Sequence, residues 1–134
     1  IEGQVRRDAP VLLVSNHTSW LDIPVLSAVA PVSFVAKSEV GRWPFVSALA
    51  RLQRTVFVDR SRRVAVGETA NEMSERLAQG DALVLFAEGT STDGNRVLPF
   101  KSSLFAAAKP ASPSAASDAS VVVQTVSIIY SRLY

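Results

Sequence analysis

Apolar residues come along this chain in short runs, each closed by a polar cluster, and between the runs the spacing turns helical. "PVLLVSN", residues 10–16, is the first such run and predicts a buried strand. "VSFVAK" (32–37), "TVFVD" (55–59), "ALVLFAE" (82–88) and "VVVQTVSIIY" (121–130) predict four more. "TVFVD" is rich in β-branched residues, which suit a pleated surface. "ALVLFAE" is apolar without alternation, as expected of a strand covered on both faces.

Helical stretches fall between these runs. "SWLDIPVLSAVA" predicts a short helix, with Ser19 or Asp22 as its cap and Pro24 in its first turn. "EVGRWPFVSALARLQ" places Phe45, Val46, Leu49 and Leu52 at helical spacing. A longer helix is expected over Ser61–Gln79, with Val66, Ala70, Met73 and Leu77 as its apolar stripe and Gly80 where a helix ends. "PFKSSLFAAAK" predicts a helix opened by Pro99, "GTSTDGN" a polar loop, and "PASPSAASDAS" a surface linker of small residues. Strands alternating with helices specify an α/β class, a single domain over 1–134 with a mostly parallel sheet flanked by helices. In such sheets ligands collect beyond the carboxyl ends of the strands. The polar groups at those ends are Asn16 to Asp22, Asp59 with Arg60, and Glu88 to Thr90.

Composition narrows the classes. At 134 residues, nearly half apolar and about a fifth charged, the chain is long enough to bury a core. No window approaches eighteen apolar residues in a row, so no stretch reads as a membrane-spanning helix. The chain opens "IEGQVRRDAP" without a methionine and stops as a strand finishes, so it reads as a fragment truncated at both ends, with any membrane anchor outside it. There is no cysteine and one histidine, which leaves no thiol nucleophile and argues against a metal site. A net charge of +2 gives no signal for nucleic acid. The basic residues nevertheless gather: Arg54, Arg60, Arg62 and Arg63 lie within ten positions, either as a solvated face or as a surface for phosphate or anionic lipid.

The single imidazole, His17, follows the first strand in "VSNHTSWLDI", five positions before Asp22. A neutral imidazole takes a proton near neutral pH, provided one ring nitrogen is free and the other is held. A carboxylate on the far nitrogen would fix the tautomer and stabilise the imidazolium. A histidine bonded to backbone beside a helix-capping aspartate is the blander alternative. No G-x-S-x-G turn offers an activated serine. The nucleophile is therefore expected to belong to the substrate: a hydroxyl deprotonated by His17 and attacking an activated carbonyl, so that transfer fits better than hydrolysis.

His17-Thr-Ser-Trp-Leu-Asp22 resembles the H-x4-D motif of the glycerolipid acyltransferases, the lysophosphatidate acyltransferase family. "FVAKSEVGRWPFV" followed by "RTVFVDR" resembles the second block of that family, and "LFAEGTSTDG" the third, normally F-P-E-G-T-R-S. "VQTVSIIY" resembles the fourth, with Thr125 where a proline is usual. The four blocks stand in order over nearly the whole chain. The resemblance implies a glycerol-3-phosphate acyltransferase-like fold and a reaction in membrane lipid synthesis. A fatty acyl chain passes from a thioester, on acyl carrier protein or coenzyme A, to the hydroxyl of a lyso-lipid, with no bound cofactor. It further implies His17 as general base and Asp22 as its orienting partner. Arg60 would hold the acceptor's anionic head with Lys37 as neighbour, while Glu88, Gly89 and Thr90 shape the acceptor site. It places the reaction at a membrane surface, on the cytoplasmic face of a bacterial inner membrane; Trp43, Phe45, Val46 and Leu49 offer either a docking face for that surface or, for at least half of them, core packing.

Two departures bear on the acceptor. Ala87 replaces the proline of the third block, and Ser91 replaces its arginine, removing one cation from the head-group site. A phosphate monoester would miss that charge unless Arg96 or Lys101 supplies it. "FAEGTSTDGNRVLPFK" resembles a bacterial branch that includes lyso-ornithine lipid acyltransferases, whose acceptor carries an amino-acid head, and lysophosphatidate stands as the other acceptor. From other classes, a non-catalytic lipid- or acyl-carrier-binding module and a thioesterase-like hydrolase remain alternatives.

Overall fold

The computed structural model describes residues 2–44, 47–48, 51, 53–59, 61–108 and 120–131. Five short strands, β1 (Val11–Ser15), β2 (Ser33–Lys37), β3 (Val56–Val58), β4 (Ala82–Phe86) and β5 (Val122–Val126), pair in the order β3-β2-β4-β1-β5. Every pairing is parallel. Between the strands lie α1 (Asp22–Val29) and α2 (Arg63–Ala78), with 3₁₀ helices at Ser38–Arg42 and Ser102–Ala108 and further helical residues at 44, 47, 48 and 51. The α/β class and the mostly parallel sheet expected from the alternation are what the chain adopts.

Successive side chains along a strand point to opposite faces, so one central strand feeds two cores. Leu83 and Leu85 of β4 join Leu12, Val14, Val35, Val56, Val58, Met73, Leu77 and Leu104 on the side that α2 covers. Val84 and Phe86 join Val11, Leu13, Leu26, Phe34 and Ile128 on the side of α1. This double burial explains why β4 is apolar at every position. The α2 stripe packs as its spacing predicts: Met73 and Leu77 are fully buried, and Ala70 nearly so. The helix ends at Ala78, and Gly80 takes a φ of +91°, a conformation that glycine adopts without steric cost.

Four expectations change. The residue preceding α1 is Leu21 and no side chain caps the helix; Asp22 is its first residue and turns its carboxylate backwards. The predicted helix at 99–109 becomes a 3₁₀ helix beginning at Ser102, because the preceding backbone is engaged elsewhere. The Leu98 amide donates to Glu88 Oε2 at 2.8 Å and the Lys101 amide to the Ala87 carbonyl at 2.7 Å, drawing 98–101 along the end of β4. The stretch from Glu39 begins in the 3₁₀ helix Ser38–Arg42, and Pro44, Ser47, Ala48 and Arg51 are helical; Phe45, Val46, Leu49 and Leu52 lie outside the described residues, as does most of the linker 110–120. The arginine cluster is also divided. Arg54 precedes β3 and pairs with Asp81 at 3.4 Å, whereas exposed Arg62 follows the strand's other end. No helix among the described residues is long and apolar enough to cross a membrane.

Candidate active site

β1 ends at Ser15, and the next three residues turn tightly enough to bring His17 back over Asp22. His17 Nδ1 lies 2.8 Å from Asp22 Oδ2. A carboxylate only accepts, so Nδ1 carries the hydrogen and Nε2 is the free basic nitrogen. The ring stacks on Phe86, with centroids 4.1 Å apart and planes 21° from parallel. Its side chain is 19% exposed, so the imidazole is held on one side and open to solvent on another.

Asp22 is wholly buried, and nearby donors stabilise its charge. Oδ2 also accepts from the main-chain amides of Thr18 at 2.7 Å and Ser19 at 3.1 Å. Oδ1 accepts from Thr18 Oγ1 at 3.2 Å and from the Tyr130 hydroxyl at 2.7 Å. Burial alone pushes this carboxyl up, but the hydrogen bonds from Tyr130, Ser19, Thr18 and His17 outweigh it and hold it below its ordinary value. The result is a charged carboxylate locked against one nitrogen of a partly open imidazole.

Beside the pair, a cleft of about 440 Å³ opens over the carboxyl ends of β2, β3 and β4. Lys37, Asp59, Glu88, Gly89, Thr90 and Lys101 are among its walls. The loop after β4 forms the boundary between cleft and pair: Glu88 to Thr90 line the cleft, and two residues on the Thr92 amide donates to the His17 carbonyl at 2.8 Å. Gly89 makes that turn at a φ of +72°, its amide donating to the Phe86 carbonyl at 3.0 Å. Glu88 is buried and anchors Leu98. Asp59 accepts from the hydroxyl and amide of Ser61, at 2.5 and 3.0 Å, which holds its carboxyl below the usual range.

Most of the residues singled out in the sequence therefore gather at one edge of the sheet. His17 and Asp22 meet directly, and Lys37, Glu88, Gly89 and Thr90 share the cleft. The imidazole is not itself among the cleft's walls; it stands on the far side of the 88–92 loop. Arg60 lies outside the described residues. Of the two cations considered in place of the arginine absent at Ser91, Lys101 is in the cleft wall and Arg96 is not. Two participants were not singled out in the sequence, Phe86 beneath the ring and Tyr130 on Asp22; Asn16, named there only among the polar groups at the strand ends, ties the end of β1 to Ile128 through its side chain.

Known proteins share this architecture and sequence. An acyltransferase family model matches residues 1–129. A lyso-ornithine lipid O-acyltransferase of Brucella abortus (strain 2308) is 57% identical over 132 residues, covering 98% of this chain and 49% of that protein. A 1-acyl-sn-glycerol-3-phosphate acyltransferase of Neisseria gonorrhoeae is 38% identical over 110 residues, covering 78% of this chain and 43% of that protein. The crystal structure of the 1-acyl-sn-glycerophosphate (LPA) acyltransferase PlsC from Thermotoga maritima matches with a TM-score of 0.61 at 37% identity, covering 80% of this chain and 44% of that one. The chain thus spans about half the length of the curated relatives it matches. With the blocks in order, the parallel sheet in place and the family model covering nearly every residue, this chain belongs to the acyltransferase family.

Proposed function

We propose that this domain transfers a fatty acyl chain from an acyl thioester to the hydroxyl of a lyso-lipid, using His17 as general base and Asp22 as its orienting carboxylate. The observation that carries the reading is the 2.8 Å contact between His17 Nδ1 and a buried, multiply bonded Asp22. Nε2 removes the proton from the acceptor hydroxyl as its oxygen attacks the thioester carbonyl. The tetrahedral species collapses, the carbon–sulfur bond breaks, and the departing thiolate takes the proton from the imidazolium. No covalent enzyme intermediate is formed, in keeping with a chain that has neither a cysteine nor an elbow serine.

The cleft would receive the acceptor's head. Its described walls hold Lys37 and Lys101 on one hand and Glu39, Asp59 and Glu88 on the other. Such mixed charge suits a head bearing both an ammonium and a carboxylate better than a phosphate monoester. Ser91 in place of arginine favours the same choice, and the 57% identical relative is named for a lyso-ornithine lipid. We therefore take a lyso-ornithine lipid as the acceptor, with lysophosphatidate as the competing substrate. A lipid acceptor brings the domain to a membrane surface, on the cytoplasmic side where acyl carrier protein and coenzyme A thioesters reside. Exposed Trp43 is the described residue of the expected docking face.

The test is an acyl-transfer assay on the full-length protein, with acyl carrier protein and coenzyme A thioesters as donors and both lyso-lipids as acceptors. His17→Ala abolishes transfer, and Asp22→Asn lowers turnover by roughly 10²–10⁴. Wild-type turnover in either variant overturns the mechanism. Free fatty acid released at the same rate with and without acceptor points instead to hydrolysis, and lipid binding without any turnover to a non-catalytic module.

A further inference from the structure

We infer that Tyr130 is a positioning residue for the catalytic pair, acting through Asp22 from the far end of the chain; the inference rests on the reading of His17 and Asp22 as base and orienter. Tyr130 lies 108 positions from Asp22, yet its hydroxyl donates to Oδ1 at 2.7 Å. Oδ1 is the oxygen that His17 does not use; Oδ2 serves the imidazole and the two amides of the 17–19 turn. Thr18 Oγ1 reaches the same Oδ1 at 3.2 Å, so Tyr130 makes the shorter of its two bonds. A carboxylate is planar, and fixing both oxygens fixes its rotation. Without the phenol, Oδ1 keeps only the longer threonine bond, and the group can turn away from Nδ1.

The chain carries a device that brings Tyr130 to this place. β5 pairs with β1 only through Val126, opposite Ser15. Beyond that point the Asn16 side chain stands in for a strand: its Nδ2 donates to the Ile128 carbonyl at 2.9 Å, and its Oδ1 accepts from the Ile128 amide at 2.7 Å. Ile128 is buried on the α1 side of the sheet, which pins the segment a second time. Two residues on, the chain crosses above α1's first residue and the tyrosine meets Asp22. Asn16 neighbours His17 in sequence, so one turn both carries the base and holds the segment that steadies its partner.

The phenol is poorly placed to act on substrate as an acid or base itself. Although the residue is half-exposed, the loss of water at its hydroxyl, followed by the hydrogen bond and charge of Asp22, raises it to about 12, so it stays protonated and keeps donating.

The experiment compares Tyr130→Phe, Asp22→Asn and the double variant in steady-state transfer assays on the full-length protein. Tyr130→Phe keeps the ring and removes only the donor. It lowers kcat by about tenfold, the scale of loss expected from small misplacement of a catalytic group, and leaves both KM values within about twofold. Added to Asp22→Asn it causes no further loss, because two residues acting through one contact are not additive. Wild-type kcat in Tyr130→Phe overturns the inference, and so does a tenfold loss that persists undiminished in the Asp22→Asn background. A change confined to the acceptor KM assigns Tyr130 to binding instead and also overturns it. If Asp22→Asn itself turns over like wild type, the reading of the pair has failed, which is a separate result from failure of the tyrosine.

Discussion

Asp22 concentrates more hydrogen bonding than any other side chain near the candidate site, and its charge is a stability determinant as well as the orienting group of the proposed mechanism. Five donors converge on its two oxygens: the amides of Thr18 and Ser19, the Thr18 hydroxyl, His17 Nδ1 and Tyr130. Because its folded pKa lies below the ordinary 3.8, it contributes stability that is present above that value and lost as pH falls through the depressed one. Tyr130 behaves in the opposite sense. Its folded value is raised from 10.0 to about 12, so its share is complete below 10 and disappears only as pH rises through 12. The acidic arm is therefore the informative one. Thermal melts of the wild type should fall as pH drops below about 4, and those of Asp22→Asn should start lower and fall less over the same range. Parallel curves would show that Asp22 is not held as a charge. The five-residue spacing only allowed His17 and Asp22 to meet; the resemblance to the H-x4-D motif singled the pair out, and the local turn brings them to 2.8 Å. The Tyr130 contact was not legible in the sequence, since 108 residues separate the partners and only the placement of β5 beside β1 joins them. Phe86 was hidden for a related reason: in an unbroken apolar strand, nothing distinguishes the residue that ends beneath a ring.

Among the elements, hydrophobic runs located every strand, and hydrogen bonds between distant segments set the edges. β5 was expected over 121–130 but ends at Val126, because β1 offers no backbone past Ser15 and the Asn16 carboxamide takes over. The opposite edge of the sheet is tied by a buried arginine. Arg76, in the last turn of α2, donates through Nε to Asp81 Oδ2 at 2.7 Å, through Nη2 to Ser33 Oγ at 2.9 Å, and through Nη1 to the Arg54 carbonyl. One planar guanidinium thus joins the end of α2 to the start of β2 and the turn before β3. In the sequence Arg76 was only another charge on a helix, since its three acceptors come from segments 5, 22 and 43 positions away. Removing it leaves buried Ser33 and the part-buried Arg54 carbonyl without this donor, and Asp81 without its closer cation. Arg76→Ala should cost about 3 kcal/mol in denaturant unfolding. Turnover per folded molecule should be unchanged, because the knot lies at the amino ends of the strands and the proposed catalytic pair at the carboxyl ends. An effect on kcat at saturating substrate would mean that the two edges are coupled.

Under the proposed mechanism the 88–92 loop separates two tasks, with the His17–Asp22 pair on one side and the cleft that would receive the head group on the other. That division predicts that acceptor choice can be altered without touching His17. Exposed Ser91 stands between Thr90, a cleft wall, and Thr92, whose amide is fixed to the His17 carbonyl, so a cation introduced there starts from the cleft's border. The described walls offer two lysines, Lys37 and Lys101, against three carboxylates. Ser91→Arg adds a planar donor that matches a phosphate's oxygens in pairs. One partly solvated ion pair of this kind is worth about 1 kcal/mol, so kcat/KM for lysophosphatidate should rise by roughly fivefold relative to lyso-ornithine lipid. The shift should appear in KM, with kcat on either acceptor little changed, since the base and its orienting contacts are intact. Lys101→Gln should move the ratio the other way. If Ser91→Arg lowers kcat on both acceptors alike, the loop does not separate the two tasks, and the head group reaches the base by another side of the sheet.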